Sequence, residues 1–258
     1  SGIKPAVMRI YDPFDALMNG PKEHNLEAQL PSRGESFAER LKIKLEKFFA
    51  GNPDIANSLL KAAEKIGVVK PLMVLVFEGA EKEIVSAEYN CAKRLFEKRG
   101  AKSKGEKPAL LWLKSRYKLS YEKFEKYFSC GIFADTLDIS VSWSEAVEVY
   151  RLVKKAVKNN ALVMAHFSHF SPQNLCIYFT FAGSGENESA AEKLHQKVWN
   201  AALDACLKAG GIVSHHHGVG LAKKEHAARQ LGENYLKTLR LFKAVLDQNN
   251  ILNPGKIF

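Results

Sequence analysis

The chain has 258 residues, enough for one large domain or two small ones with a substantial core. With 46% hydrophobic and 26% charged residues it has the composition of a globular protein, and no apolar run approaches the roughly 18 residues of a membrane span. Its 38 Lys and Arg against 28 Asp and Glu give a net charge of +10, which suits phosphate or anionic lipid but fits a lysine-rich solubilising surface equally well.

Residues 6–11 read as a short strand ending at Asp12-Pro13. Residues 19–35 are polar, with Pro21, Pro31 and Gly34, and read as a loop. Ser36 can cap a helix through Phe48, and Gly51-Asn52-Pro53-Asp54 separates it from a second helix over residues 55–66. The run 72–77 is the strongest strand signal, and its continuous apolar character predicts burial on both faces. Residues 81–99 are an amphipathic helix closed by Gly100, and a long helical region runs from Pro108 through Tyr127. Residues 134–141 alternate as a strand, a helix reaches Asn159, and residues 162–167 and 175–181 form an antiparallel hairpin. A helix over 189–209 stops at Gly210-Gly211, a last helix covers 225–246, and the tail 251–258 is extended. Helices join some strands and a hairpin joins others. The predicted class is α+β: a mostly antiparallel sheet with helices packed on one face.

Cys91, Cys130, Cys176 and Cys206 are widely spaced and unpaired in sequence, which predicts a reducing compartment rather than a disulfide framework or structural zinc. The opening residues do not read as a signal peptide and Gly255-Lys256-Ile257-Phe258 is no peroxisomal tripeptide, so a cytoplasmic location is expected. The lysines accompany no nucleic-acid motif, and nucleic acid is not an expected partner.

The most unusual motif is Ser214-His215-His216-His217-Gly218-Val219-Gly220. Three imidazoles can position a substrate, shuttle protons or donate hydrogen bonds to a cofactor. A chance exposed run is the competing reading. A shared metal ion is not expected, because adjacent residues of an extended segment point apart.

With residues 210–220 and the ending Asn249 to Phe258, this motif resembles the C-terminal part of the FAD-linked oxidases. The histidine triplet resembles the alkyldihydroxyacetonephosphate synthase branch, where other relatives carry Glu-His-Gly. Residues 165–170 and 176–181 resemble the segment of that branch carrying a proton-transferring tyrosine, which matches Tyr178. An ordinary half-buried strand aromatic would look the same. Residues 3–12 resemble the first strand of the cap domain, and Arg9 matches an arginine needed for activity. The residue matching the substrate-phosphate arginine is Lys123, which keeps the charge but cannot grip phosphate bidentately; Arg116 would share the task. A solvated helix face accounts for both equally well.

The resemblance spans the chain. It implies a cap or substrate domain over residues 1–258, with residues 212–258 facing the flavin. It also implies a separate FAD-binding domain outside this sequence, and no activity without it. The implied reaction exchanges the acyl group of acyl-dihydroxyacetone phosphate for a fatty alcohol in ether lipid synthesis, with FAD undergoing no net redox change. Tyr178, His215, His216, His217 and Arg9 are the expected catalytic residues, and the triplet touches the flavin. Peripheral membrane association and a homodimer are expected partners of that reading.

Two alternatives stand beside it. One is the cap of a FAD-dependent 2-hydroxyacid dehydrogenase acting on D-lactate or glycolate. Some of those bind a metal through H-x-G-D-G-N-x-H, but Cys176 stands where the last histidine would be and His216 replaces the glutamate. The other is a flavin-free binding module.

Overall fold

The computed structural model describes residues 2–21, 47–117, 128 and 131–257. The predicted 22–35 part of the first loop, most of the helix begun at Ser36, Lys123 and Cys130 lie outside these residues. The sheet is built from β1 (Val7–Tyr11), β2 (Leu72–Val76), β3 (Ile132–Ser142), β4 (Leu162–Ser168) and β5 (Asn174–Ser184). Their order is β2-β1-β4-β5-β3 and every pairing is antiparallel. Among the described residues the helices are α1 (Pro13–Met18), α2 (Pro53–Lys65), α3 (Lys82–Glu97), α4 (Lys107–Ser115), α5 (Ala146–Val157), α6 (Glu188–Lys208), α7 (Lys224–Leu231) and α8 (Glu233–Leu246). The predicted α+β class and the hairpin β4–β5 are both present.

Strand alternation gives the sheet two unlike faces. On the back face, Leu137, Ile139 and Val141 of β3 stand beside Ile177, Phe179 and Phe181 of β5 and Val163 and Ala165 of β4. All are almost fully buried. They pack against α5, whose Val149, Val153 and Val157 recur every four residues along one stripe, and against Val198, Ala202, Leu203 and Cys206 of α6. Burying each such side chain is worth about 1.5–3 kcal/mol, so this layer dominates the stability of the fold.

α6 starts at an Asn187 cap whose side chain accepts from the Ala190 amide at 3.0 Å. The end of β5 and the turn after it are glycine-spaced for close packing. A Cβ at Gly183 would lie 2.6 Å from the Phe133 ring, and one at Gly185 would lie 2.4 Å from the Ala191 nitrogen. Protein atoms therefore fill the space that these glycines open.

Three expectations are corrected. β2 is not buried on both faces: it is an edge strand in which only Val74 is buried. The last helix is two helices, because Gly232 adopts φ +79° between α7 and α8. The tail is not extended. It turns, with Asn253 and Gly255 at positive φ, and Ile257 donates its amide to the Gly220 carbonyl at 3.4 Å. No helix among the described residues is long and apolar enough to cross a membrane.

Candidate active site

The front face carries a row of polar and aromatic groups that no single stretch of sequence contains. Pairing places Tyr11 opposite His166, His166 opposite Tyr178, and Tyr178 opposite Asp138, one residue from each of β1, β4, β5 and β3. The His166 and Tyr178 rings stack at 4.5 Å, nearly parallel. The Tyr178 hydroxyl donates to Thr136 Oγ1 at 3.0 Å.

His166 is buried and tied at both ends. Its Nδ1 lies 3.0 Å from Asp15 Oδ2, and its Nε2 lies 2.7 Å from Arg9 Nη2. Arginine cannot accept, so Nε2 accepts from the guanidinium while Nδ1–H donates to the carboxylate. Burial pushes the His166 pKa below its ordinary value, with Asp15 opposing and Arg9 adding to the shift, so the ring sits neutral between them. Asp15 is placed by the Asp12 cap of α1, where Asp12 Oδ1 accepts from the Asp15 amide at 2.8 Å. Arg9 also lies over the Tyr11 ring at 5.2 Å, and its Nε is buried with no partner among the described residues.

The histidine triplet is anchored by a carboxylate. Asp138 Oδ2 accepts three successive backbone amides, from His215 at 2.8 Å, His216 at 2.5 Å and His217 at 2.9 Å. Its other oxygen accepts from the Lys223 ammonium, which also donates to the Asp138 carbonyl at 3.0 Å. Both residues are buried. Burial alone would raise the Asp138 pKa, but the Lys223 hydrogen bond and the amides of His217 and His216 overcome it and hold the carboxyl well below the usual range. The approach of this loop to β3 begins at an antiparallel bridge between Ile212 and Ser140. Gly218 and Gly220, both at positive φ, let it curl away afterwards.

That curl corrects the expectation that the triplet is extended and its rings point apart. The Nδ1 atoms of His215 and His216 lie 3.2 Å apart, and His169 stacks on His216 at 4.6 Å. Desolvation, with neighbouring imidazoles adding to it, lowers the pKa of both His169 and His216. Ligand nitrogens of His169, His215 and His216 fall within 4.8 Å of one another, close enough to share a metal ion. The triplet reaches the strand row directly: His217 meets the Tyr178 ring edge-on at 5.2 Å, and His216 stacks parallel to it at 6.1 Å. The Cys176 thiol lies 3.9 Å from His216 Nδ1.

Tyr178, Arg9 and the three histidines of the sequence reading are thus brought to one face, Arg9 through His166. Arg116 is not among them. It caps α4 and lies over Tyr117 at 4.7 Å and Trp112 at 5.7 Å. Sequence reasoning missed Asp15, His166, His169, Asp138 and Lys223 as site residues. His166 and His169 lie in the segment that carries the family resemblance, whereas Asp138 is brought in by strand register, Asp15 by α1 and Lys223 by the turn before α7.

Residues 53–257 match the family described as FAD linked oxidases, C-terminal domain. The chain belongs to this family. Within it, the sequence is 32% identical over 197 residues to the alkyldihydroxyacetonephosphate synthase of Trypanosoma brucei brucei, covering 72% of this chain and 31% of that protein. The synthase of Dictyostelium discoideum is 25% identical over 267 residues, covering 100% of this chain and 40% of that protein. The mitochondrial D-lactate dehydrogenase [cytochrome] 1 of Saccharomyces cerevisiae is 29% identical over 123 residues, 48% of this chain and 20% of that one. A solved alkyldihydroxyacetonephosphate synthase superposes with a TM-score of 0.55 at 19% identity, covering 98% of this chain and 40% of the solved chain, which establishes the shared fold. The chain therefore spans well under half the length of these family members.

FAD is the cofactor that the family implies. His216 and His217 are about one-third exposed on the front face while their backbone is fixed, so their ring nitrogens fit the edge of a flavin approached from one side. The glycine-spaced turn after β5 does not fit a pyrophosphate, because protein atoms occupy it.

Proposed function

We infer that the chain is the substrate-side portion of a flavoenzyme acting as an alkyldihydroxyacetonephosphate synthase, with the front face as its catalytic wall. The observation that carries this reading is the convergence of Tyr178, Arg9 and the triplet on one surface, from segments 169 and 37 residues apart in sequence. The similarity to two synthases supports the choice of substrate, acyl-dihydroxyacetone phosphate with a fatty alcohol.

Bound FAD would supply the centre at which the substrate carbon exchanges its acyl-oxygen substituent for the alcohol. This chain's residues hold and move the proton. The Tyr178 hydroxyl has Thr136 Oγ1 as its proton partner and neutral His166 stacked on its ring, so its direction is fixed before substrate arrives. Arg9, held by His166, which Asp15 orients in turn, supplies a positive charge to the same face that draws the anionic substrate. His216 and His217 form the flavin-facing side of this wall, their positions set by Asp138 rather than by their own side chains. The apolar residues Leu241, Phe242, Val245 and Leu246 of α8 are exposed, and in this reading they pack on the flavin-binding domain.

A second reading, a 2-hydroxyacid dehydrogenase, draws on the similarity to D-lactate dehydrogenase and on the three clustered imidazoles. One experiment separates them. The flavin-loaded, full-length protein is assayed with acyl-dihydroxyacetone phosphate and labelled hexadecanol, and in parallel with D-lactate and a dye acceptor. Formation of labelled ether product, reduced about 10²–10⁴-fold in Tyr178→Phe, supports the synthase. Rapid dye reduction without ether product rejects it.

A further inference from the structure

The sheet's back face holds a cavity, separated from the catalytic wall by the sheet itself. It lies between α1, α2 and α5 and has a volume of about 590 Å³, within the range of small-molecule sites. Its floor is apolar, formed by Phe14 of α1, Leu60 of α2, Val69 after that helix, and Val163 of β4. Val163 neighbours Phe181 across the hairpin, on the strand side opposite to Tyr178 and His166.

The rim is basic. Arg151, Lys155 and Lys158 follow one another along one side of α5, and Lys61 faces them from α2. All four are exposed, and none makes an ion pair among the described residues. Lys154 differs: it is spent on Asp12 Oδ2 at 2.9 Å, as is the Tyr150 hydroxyl at 2.8 Å. Among the described residues Glu64 is the one acidic residue of the lining. The negative end of α5 favours Lys155 and Lys158 where they stand. It does not account for Arg151, a turn earlier, or for Lys61 on another helix. Like charges one helical turn apart repel, and they stay together without a partner only at that cost.

We propose that this cavity binds a phosphate monoester carrying an apolar body, with the head held by Arg151, Lys155, Lys158 and Lys61 and the body against Phe14, Leu60 and Val163. A dianionic head matches a rim whose free cations outnumber its one carboxylate. Arg151 supplies the planar fork that grips two phosphate oxygens at once. The site is a binding site only, and it does not depend on the flavin reading, since it shares no residue with the front face.

The test is isothermal titration of the chain with n-octyl phosphate, with inorganic phosphate and phosphatidic acid vesicles as separate arms. The expected result is saturable one-site binding of n-octyl phosphate, at least 10-fold tighter than inorganic phosphate. The double reversal Arg151→Glu/Lys155→Glu weakens it at least 10-fold, while Lys193→Glu/Lys197→Glu on α6 changes it less than 2-fold. All four positions are exposed, so an unchanged thermal midpoint shows that the variants fold. Absence of saturable binding overturns the proposal, as does an equal loss in both double variants, which would mean general charge attraction. Equal affinity for inorganic phosphate would remove the role of the apolar floor. Capture by vesicles without binding of the soluble ester would replace the cavity with a membrane surface.

Discussion

The two faces of the sheet are made by the same strands and obey different rules. On the back, neighbouring residues of β3, β4 and β5 bury apolar side chains against α5 and α6, and any hydrophobic residue of similar volume would serve nearly as well. On the front, the next residue along each strand is one of a fixed set: His166, Tyr178 and Asp138 in a row, with the triplet laid over them. Stability resides mainly in the first face and chemistry in the second. Asp138 belongs to both, because it is a buried charge that also shapes the site.

Phe179 and Tyr178 are adjacent and point opposite ways, so they give the largest contrast. Phe179→Ala is expected to lower unfolding free energy by about 4 kcal/mol, measured by urea denaturation. Tyr178→Phe is expected to change it by less than about 1 kcal/mol, since the lost hydroxyl is half-buried and Thr136 is its one partner among the described residues. Equal destabilisation by both would mean that the front face is core as well. Asp138→Asn comes next, at about 3 kcal/mol, because it leaves the Lys223 ammonium buried without its partner. A neutral effect in the same denaturation experiment would break the claim that this pair anchors the loop.

Acid sharpens the comparison further. A group whose pKa is lower in the folded chain adds stability above its ordinary pKa, and that stability is lost as pH falls below it. His166 is such a group, so stability should start to fall below about pH 6.5; His169 and His216 add to this with smaller effect because they are more exposed. Asp138 adds a second decline below its ordinary 3.8. Urea midpoints measured from pH 8 to 3 should show the first decline shrink in His166→Gln while the second persists. The smallest effect concerns thiols. Burial pushes Cys176 and Cys206 up to about 12, so of the three described cysteines only Cys91 should react quickly with a thiol reagent at pH 8.

The back face was legible in the sequence because its signal is periodic and local. The alternation over residues 134–141, the paired runs of the hairpin and the four-residue recurrence in α5 each declare an element by themselves. Edge position is not local, and so the apolar run of β2 read as doubly buried. Gly232 declares no break in the sequence, because one glycine inside a helical pattern is usually tolerated. At the site, the triplet and Tyr178 stood out through their motif. Asp138 did not, since an acidic residue in a strand carries no mark of the three amides and one ammonium that converge on it. The curl of the triplet follows from that convergence and was invisible for the same reason.

One carboxylate, that of Asp138, holds residues 215–217 against the Tyr178 row. Amide hydrogen exchange on the chain tests it most directly. The amides of His215, His216 and His217 are expected to be protected in the wild type and to lose protection together in Asp138→Asn, while β5 amides such as Phe179 stay protected on the same timescale. Unprotected exchange of all three in the wild type, or loss at only one of them in the variant, would contradict it.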